Sequence, residues 1–123
     1  MGDRIYKLLV VEDDEDLLNV MDWIFDDNDI EIVKAQSFER ALEIIGSDRP
    51  DLIICDVELS GKSGIDICRK IKSDPVTQNI PFILMSAFIT RWQLPKDIVN
   101  DGFVAKPFDV PRLHDMVRTI LVS

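Results

Sequence analysis

The stretch Asp51-Leu52-Ile53-Ile54-Cys55-Asp56 decides the fold. Its apolar run from Leu52 to Cys55 has no polar residue in alternate positions, which is the pattern of a strand covered on both faces. Asp56 closes that strand. In open α/β sheets ligands bind beyond the carboxyl ends of the strands, so Asp56 is the candidate working carboxylate.

Working outward, similar runs rich in β-branched residues recur at Ile5 to Val11, Ile30 to Val33, Phe82 to Met85 and Phe103 to Ala105. Between them the period changes to that of a helix, first in Leu17, Met21, Ile24 and Phe25, then in Phe38, Ala41, Leu42 and Ile45. Ile65, Cys68 and Ile71 mark a third helix that stops before the Asp74-Pro75 turn, and Leu113, Met116, Val117 and Ile120 mark the last. Strand and helix alternate, which predicts an α/β fold with a doubly wound five-stranded parallel sheet and helices on both faces. From Phe88 to Asp101, Pro95 interrupts a segment whose apolar residues Leu94, Ile98 and Val99 support only a short or irregular fourth helix.

A length of 123 residues, 46% of them hydrophobic, predicts a single domain over residues 1–123 with a real core. The 14 basic and 23 acidic side chains give a net charge of −9, which opposes direct binding to nucleic acid or to anionic membranes. No apolar run approaches the roughly 20 residues of a membrane span. Met1-Gly2-Asp3-Arg4 lacks the apolar core of a secretion signal, so the expected location is cytoplasmic. Cys55 and Cys68 lie in apolar segments without metal-ligand spacing and read as reduced core residues.

The residues that follow the strands form a coherent set. Glu12, Asp13, Asp14, Glu15 and Asp16 follow the first strand, Asp56 and then Glu58 the third, Ser86 the fourth and Lys106 the fifth. If the first and third strands are neighbours, about 4.8 Å apart, their terminal carboxylates repel one another unless protons or a cation intervene. Magnesium favours a few carboxylate oxygens together with water and phosphate oxygens, and an open acidic site suits it. Asp14, Glu15 and Asp16 are read as the opening of the first helix, where acids complement the N-terminal dipole.

Four segments carry a family resemblance: Leu8-Leu9-Val10-Val11-Glu12-Asp13-Asp14, Asp51-Leu52-Ile53-Ile54-Cys55-Asp56, Leu84-Met85-Ser86-Ala87, and Gly102-Phe103-Val104-Ala105-Lys106-Pro107-Phe108. Through them the chain resembles the receiver domain of two-component response regulators. The resemblance implies a flavodoxin-like strand order 2-1-3-4-5 and a phosphorelay function in which Asp56 accepts a phosphoryl group from a partner histidine kinase or phosphotransfer protein. It implies a signalling domain that catalyses its own phosphotransfer and dephosphorylation, rather than an enzyme acting on a separate substrate.

By the same resemblance Asp13 and Asp56 would ligate Mg2+ directly, Glu58 would offer its backbone carbonyl, and Glu12 would act through a water. Ser86 would bond a phosphoryl oxygen, Lys106 would pair with the phosphoryl group, and small Ala87 would leave room for its entry. Ser86 and Phe103 would form a switch that alters a protein-interaction face built by the fourth helix, fifth strand and fifth helix, for an unknown downstream effector or a homodimer. Glu58 and Phe88 would flank the path of attacking water. The Lys106-Pro107 bond is expected to be cis. The chain departs from the family at Glu58-Leu59-Ser60-Gly61, where a Met-Pro pair is common, at Phe103, where Tyr is frequent, and in a short Ser86 to Lys106 interval.

Three signals are set aside. Gly61-Lys62-Ser63 mimics the end of a P-loop, but Asp56 stands where that motif needs its first glycine. His114 falls on or near the buried stripe of the last helix and reads as a structural or surface residue. Phe88 and Trp92 read as plugs of the core where the fourth helix is weak, in preference to a partner-binding hot spot. The rival functions are a receiver-like interaction module working without phosphorylation and a haloacid dehalogenase-type phosphatase. The latter needs a second Asp where Glu58 stands. A flavodoxin-like cofactor binder would need a Ser/Thr/Gly-rich loop in place of the five carboxylates.

Overall fold

The computed structural model describes residues 4–123, so Met1, Gly2 and Asp3 of the N-terminal reading lie outside the described residues. In chain order the elements are β1 (Tyr6–Val11), α1 (Glu15–Ile24), β2 (Ile30–Ala35), α2 (Phe38–Ser47), β3 (Leu52–Asp56), β4 (Glu58–Leu59), β5 (Lys62–Ser63), α3 (Gly64–Ser73), β6 (Phe82–Ser86), β7 (Gly102–Ala105) and α4 (Val110–Val122). The five long-range strands pair in parallel in the order β2-β1-β3-β6-β7, while β4 and β5 form a separate antiparallel pair. The first to fifth strands read from the sequence are thus β1, β2, β3, β6 and β7, and their order is the flavodoxin-like one.

Period-two alternation divides the sheet's side chains between two cores. Leu9, Val11, Ile53, Cys55, Phe82 and Leu84 face α2 and α3, where Ala41, Ile44, Ile45, Ile67, Cys68 and Ile71 meet them. Leu8, Val10, Leu52, Ile54, Ile83 and Met85 face α1 and α4, where Leu18, Met21, Leu113 and Val117 meet them. Each fully buried aliphatic side chain contributes roughly 1.5–3 kcal/mol, and both faces of β3 are completely covered.

Each helix begins at a side-chain cap that satisfies amide groups left free by the first turn. Asp14 caps α1 through the amides of Asp16 and Leu17, Ser37 caps α2 through Arg40, Ser63 caps α3 through Ile65, and Asp109 caps α4 through Arg112. The buried stripes match the expected ones at Met21, Ile24, Ala41, Ile45, Cys68 and Ile71, but Leu18, Ile44 and Ile67 are buried where Leu17, Leu42 and Ile65 are only partly so. A single residue turns a helix by about 100°, so a wide apolar stripe leaves the phase undetermined until the helix docks.

The segment between β6 and β7 forms no α-helix. Its regular structure is one 3-10 turn, Arg91–Gln93. Leu94 and Ile98 pack against the first core, but Val99 is exposed and so are Phe88 and Trp92, at 80% and 86%. The reading of Phe88 and Trp92 as core plugs is therefore corrected. Ile89, Leu94 and Ile98 already close that side, and Pro95 prevents the helical turn that would carry Trp92 inward. The face expected from a fourth helix is built instead by this connector beside β7 and α4.

His114 pairs through Nε2 with Asp27 at 3.0 Å and stacks on Phe25, with ring centroids 5.9 Å apart. Arg118 reaches Asp29 at 2.7 Å. Together they tie α4 to the loop after α1, which gives His114 the structural one of the two roles read for it. Cys55 and Cys68 are free and buried. Among the described residues no helix is long and apolar enough to cross a membrane.

Candidate functional site

Adjacent pairing of β1 with β3, in the register Val11 to Cys55, brings the residues that follow them to one rim. Glu12, Asp13 and Asp56 each place a carboxylate oxygen within 4.8 Å of the others. Pairing of β6 with β7, and the bond from the Lys106 amide to the Ser86 carbonyl at 2.8 Å, bring Ser86 and Lys106 to the same rim. The Lys106-Pro107 bond is cis.

Lys106 is the counter-ion of the acids. Its Nζ donates to Asp56 Oδ2 at 2.6 Å and to Glu12 Oε1 at 2.7 Å. The remaining oxygens take backbone donors: Asp56 Oδ1 accepts from the Glu58 amide at 3.0 Å, and Glu12 Oε2 from the Asp14 amide at 3.0 Å. Burial pushes the Glu12 carboxyl up to about 7, against the opposing pull of Lys106 and the Asp14 amide. Lys106 is raised, because its bonds to Asp56 and Glu12 outweigh the effect of burial. Asp13 is exposed and is held below the usual carboxylate range, where hydrogen bonds from Ser60 overcome a partial burial.

The β4-β5 hairpin closes one side of the rim. Its turn residue Gly61 has φ +80°, a left-handed conformation that favours glycine, and the Ser60 amide beside it donates to Asp13 Oδ2 at 3.0 Å. Sequence reasoning missed this hairpin, although the Ser60-Gly61 dipeptide is a turn signal. Gly64, which opens α3, lies so close beneath Asp56 that a Cβ there would fall 2.0 Å from the Asp56 carbonyl oxygen.

The structure assigns Glu58 a contact that its sequence position did not announce. Its side chain accepts from Ser86 Oγ at 2.5 Å and from the Ala87 amide at 3.2 Å. Ser86 Oγ in turn accepts from the amides of Phe88 and Ile89, both at 3.0 Å. Phe103 is half-buried against the first core and borders a cavity of ≈240 Å³ shared with Phe108 and Met116. Phe88 projects into solvent near Ser86.

An acid cluster with two buried carboxylates and one exposed, with a lysine counter-ion and a hydroxyl, on the carboxyl rim of a flavodoxin-like sheet, defines the class of a receiver-type signalling domain. The chain belongs to the response regulator receiver domain family, whose profile matches residues 8–118. It is 29% identical over 117 residues to sporulation initiation phosphotransferase F of Bacillus subtilis, an alignment covering 94% of this chain and 93% of that protein. It is 31% identical over 114 residues to the uncharacterized transcriptional regulatory protein YrkP of the same organism, covering 91% of this chain but 48% of YrkP. The chain therefore spans about half of one relative and nearly all of the other. Among solved structures, a candidate response regulator from Chloroflexus aurantiacus superposes with TM-score 0.88 at 28% identity, over 98% of this chain and 100% of that one.

Proposed function

We propose that residues 1–123 act as one phosphoacceptor unit in a two-component phosphorelay, with Asp56 receiving a phosphoryl group from the phosphohistidine of a partner kinase or phosphotransfer protein in the cytoplasm. The observation that carries this reading is the Asp56 carboxylate, 3% exposed yet open at the rim to Lys106, Glu12 and Asp13. An Asp56 oxygen attacks phosphorus as the phosphorus–nitrogen bond breaks and the imidazole of the partner leaves, giving an acyl phosphate. Lys106 follows the developing charge as a compact cation already within bonding distance of Asp56.

The donor set fits a hard divalent cation: three carboxylates that converge, one of them exposed to solvent. Mg2+ would be held by Asp13 and Asp56, with the Glu58 carbonyl and a water on Glu12 completing it, and when bound it would neutralise charge on the transferring oxygens. Ser86 and Ala87 supply the donor and the open approach for the phosphoryl oxygens. Phe103, beside its cavity, carries the change toward an effector or a second copy on the β7-α4 face. Ser86 and Phe103 are accordingly the switch pair.

The test is incubation with magnesium and a small phosphodonor such as acetyl phosphate, followed by intact-mass measurement. Wild type is expected to gain one phosphoryl group and Asp56→Asn none. A wild type that gains nothing refutes the reading. The second reading, an interaction module that works without phosphorylation, is favoured by one observation, the Glu58 carboxylate on Ser86.

A further inference from the structure

We infer that the Glu58 side chain is a resident anion of the phosphoryl site, which must leave before a phosphoryl oxygen can be bound and which holds Ser86 in its bonded position until then. The inference rests on the phosphoacceptor reading and adds to it a gate formed by Glu58.

A serine hydroxyl has one proton to give and two lone pairs to offer. Ser86 gives its proton to Glu58 Oε2 and takes the Phe88 and Ile89 amides on its oxygen. Its capacity is filled. The Ala87 amide has one proton, and that goes to Glu58 Oε1. The two donors at the end of β6 that face the rim are therefore both used by one carboxylate, a planar anion with two oxygens. Any second anion brought to Asp56 competes with it for the same two protons.

The chain supplies the reach. Glu58 begins the β4 strand, and its amide is already fixed on Asp56 Oδ1 at 3.0 Å. The backbone of Glu58 is thus anchored to the acceptor carboxylate while its side chain spans to Ser86. The hairpin beyond it is pinned by Gly61 and by the Ser60 amide on Asp13. Two consequences follow. The site favours a phosphoryl group only to the extent that Glu58 is displaced, and the apparent affinity is the intrinsic affinity multiplied by the fraction of molecules in which it is. Ser86, meanwhile, is held in place by that bond, with Phe103 half-buried against the core.

Reach can be separated from charge. Glu58→Asp keeps the charge but shortens the side chain by one methylene, Glu58→Gln keeps the reach without the charge, and Glu58→Ala removes both. The probe is beryllofluoride with magnesium, titrated by two-dimensional NMR, a phosphoryl analogue that needs no phosphodonor. Glu58→Asp and Glu58→Ala are expected to bind it at least about tenfold more tightly than wild type. In both, the Ala87 amide and Phe103 ring signals should move before any beryllofluoride is added. Wild-type affinity in Glu58→Asp together with a gain in Glu58→Gln would show simple charge repulsion and overturn the inference alone. Absence of beryllofluoride binding in wild type and in every variant would overturn the phosphoacceptor reading, and the inference with it.

Discussion

Substitution of Gly64 by alanine tests how tightly the fold is built beneath Asp56. A Cβ at this position would lie 2.0 Å from the Asp56 carbonyl oxygen and 2.8 Å from Cys55 Sγ. Close carbon-to-oxygen contacts settle at about 3.3–3.6 Å, so the two backbones must separate by more than about 1 Å. The strand cannot yield, because β3 is paired on both sides by β1 and β6 and covered on both faces. Retreat therefore falls to α3, at the expense of the bond from the Gly64 amide to the Val57 carbonyl at 2.8 Å and the packing of Ile67 and Cys68. Overpacking costs about 1–3 kcal/mol and the lost bond about 1 kcal/mol, with a partial offset of up to about 1 kcal/mol from replacing a helical glycine. The net loss is about 1–4 kcal/mol, which lowers Tm by about 3–20 °C for a domain of this size.

Thermal unfolding followed by circular dichroism measures that loss. Gly46→Ala is the control, since nothing lies within 4 Å of a Cβ there, and it should leave Tm unchanged or raise it. Phosphoryl acceptance by Asp56 should fall in Gly64→Ala alone. A Gly64→Ala protein that melts within about 2 °C of wild type would refute the close-approach argument.

Lys106→Met strips Glu12 and Asp56 of their shared cation while each keeps one amide donor. Urea unfolding should show a loss of about 2 kcal/mol at neutral pH, narrowed by added magnesium, and equal midpoints would count against the lysine as counter-ion. The thiols of Cys55 and Cys68 are pushed up by burial, Cys68 to about 11. Alkylation at about pH 8 should therefore wait for unfolding, and rapid modification of the native protein would contradict their burial. The bond from Arg118 holds the Asp29 carboxyl below its ordinary value. A depressed carboxyl adds stability that is present above the unfolded pKa of about 3.9 and is lost as pH falls through the folded value. Arg118→Ala should accordingly melt earlier than wild type near neutral pH and approach it in acid, whereas a constant gap across that range would refute the linkage.

The sequence made the sheet legible because runs such as Leu52 to Cys55 and Phe82 to Met85 are buried on both faces and need no partner to be recognised. It also made legible which residues share the rim, since Glu12, Asp13, Asp56, Ser86 and Lys106 each end or follow a strand and parallel pairing aligns strand ends. What it did not disclose depends on side-chain direction. Glu58 meets Ser86 only because the turn at Gly61 folds a two-strand hairpin beside Asp56. Phe88 and Trp92 were read inward from their hydrophobicity, but in an irregular connector no periodicity says which way a side chain points.

The connector between β6 and β7 also bears on the order of assembly. A helix formed in a crossover shortens the chain before its two strands meet, whereas this one offers a single 3-10 turn, so docking β7 carries the closure entropy of the loop largely unreduced. Strands β1, β2 and β3 are joined through α1 and α2 and bear no such burden. Glu12, Asp13 and Asp56 are then gathered by the early half of the chain, while Lys106 arrives with the late half. During synthesis the acids would wait for their counter-ion, and a dissolved cation would be the first positive charge to meet them.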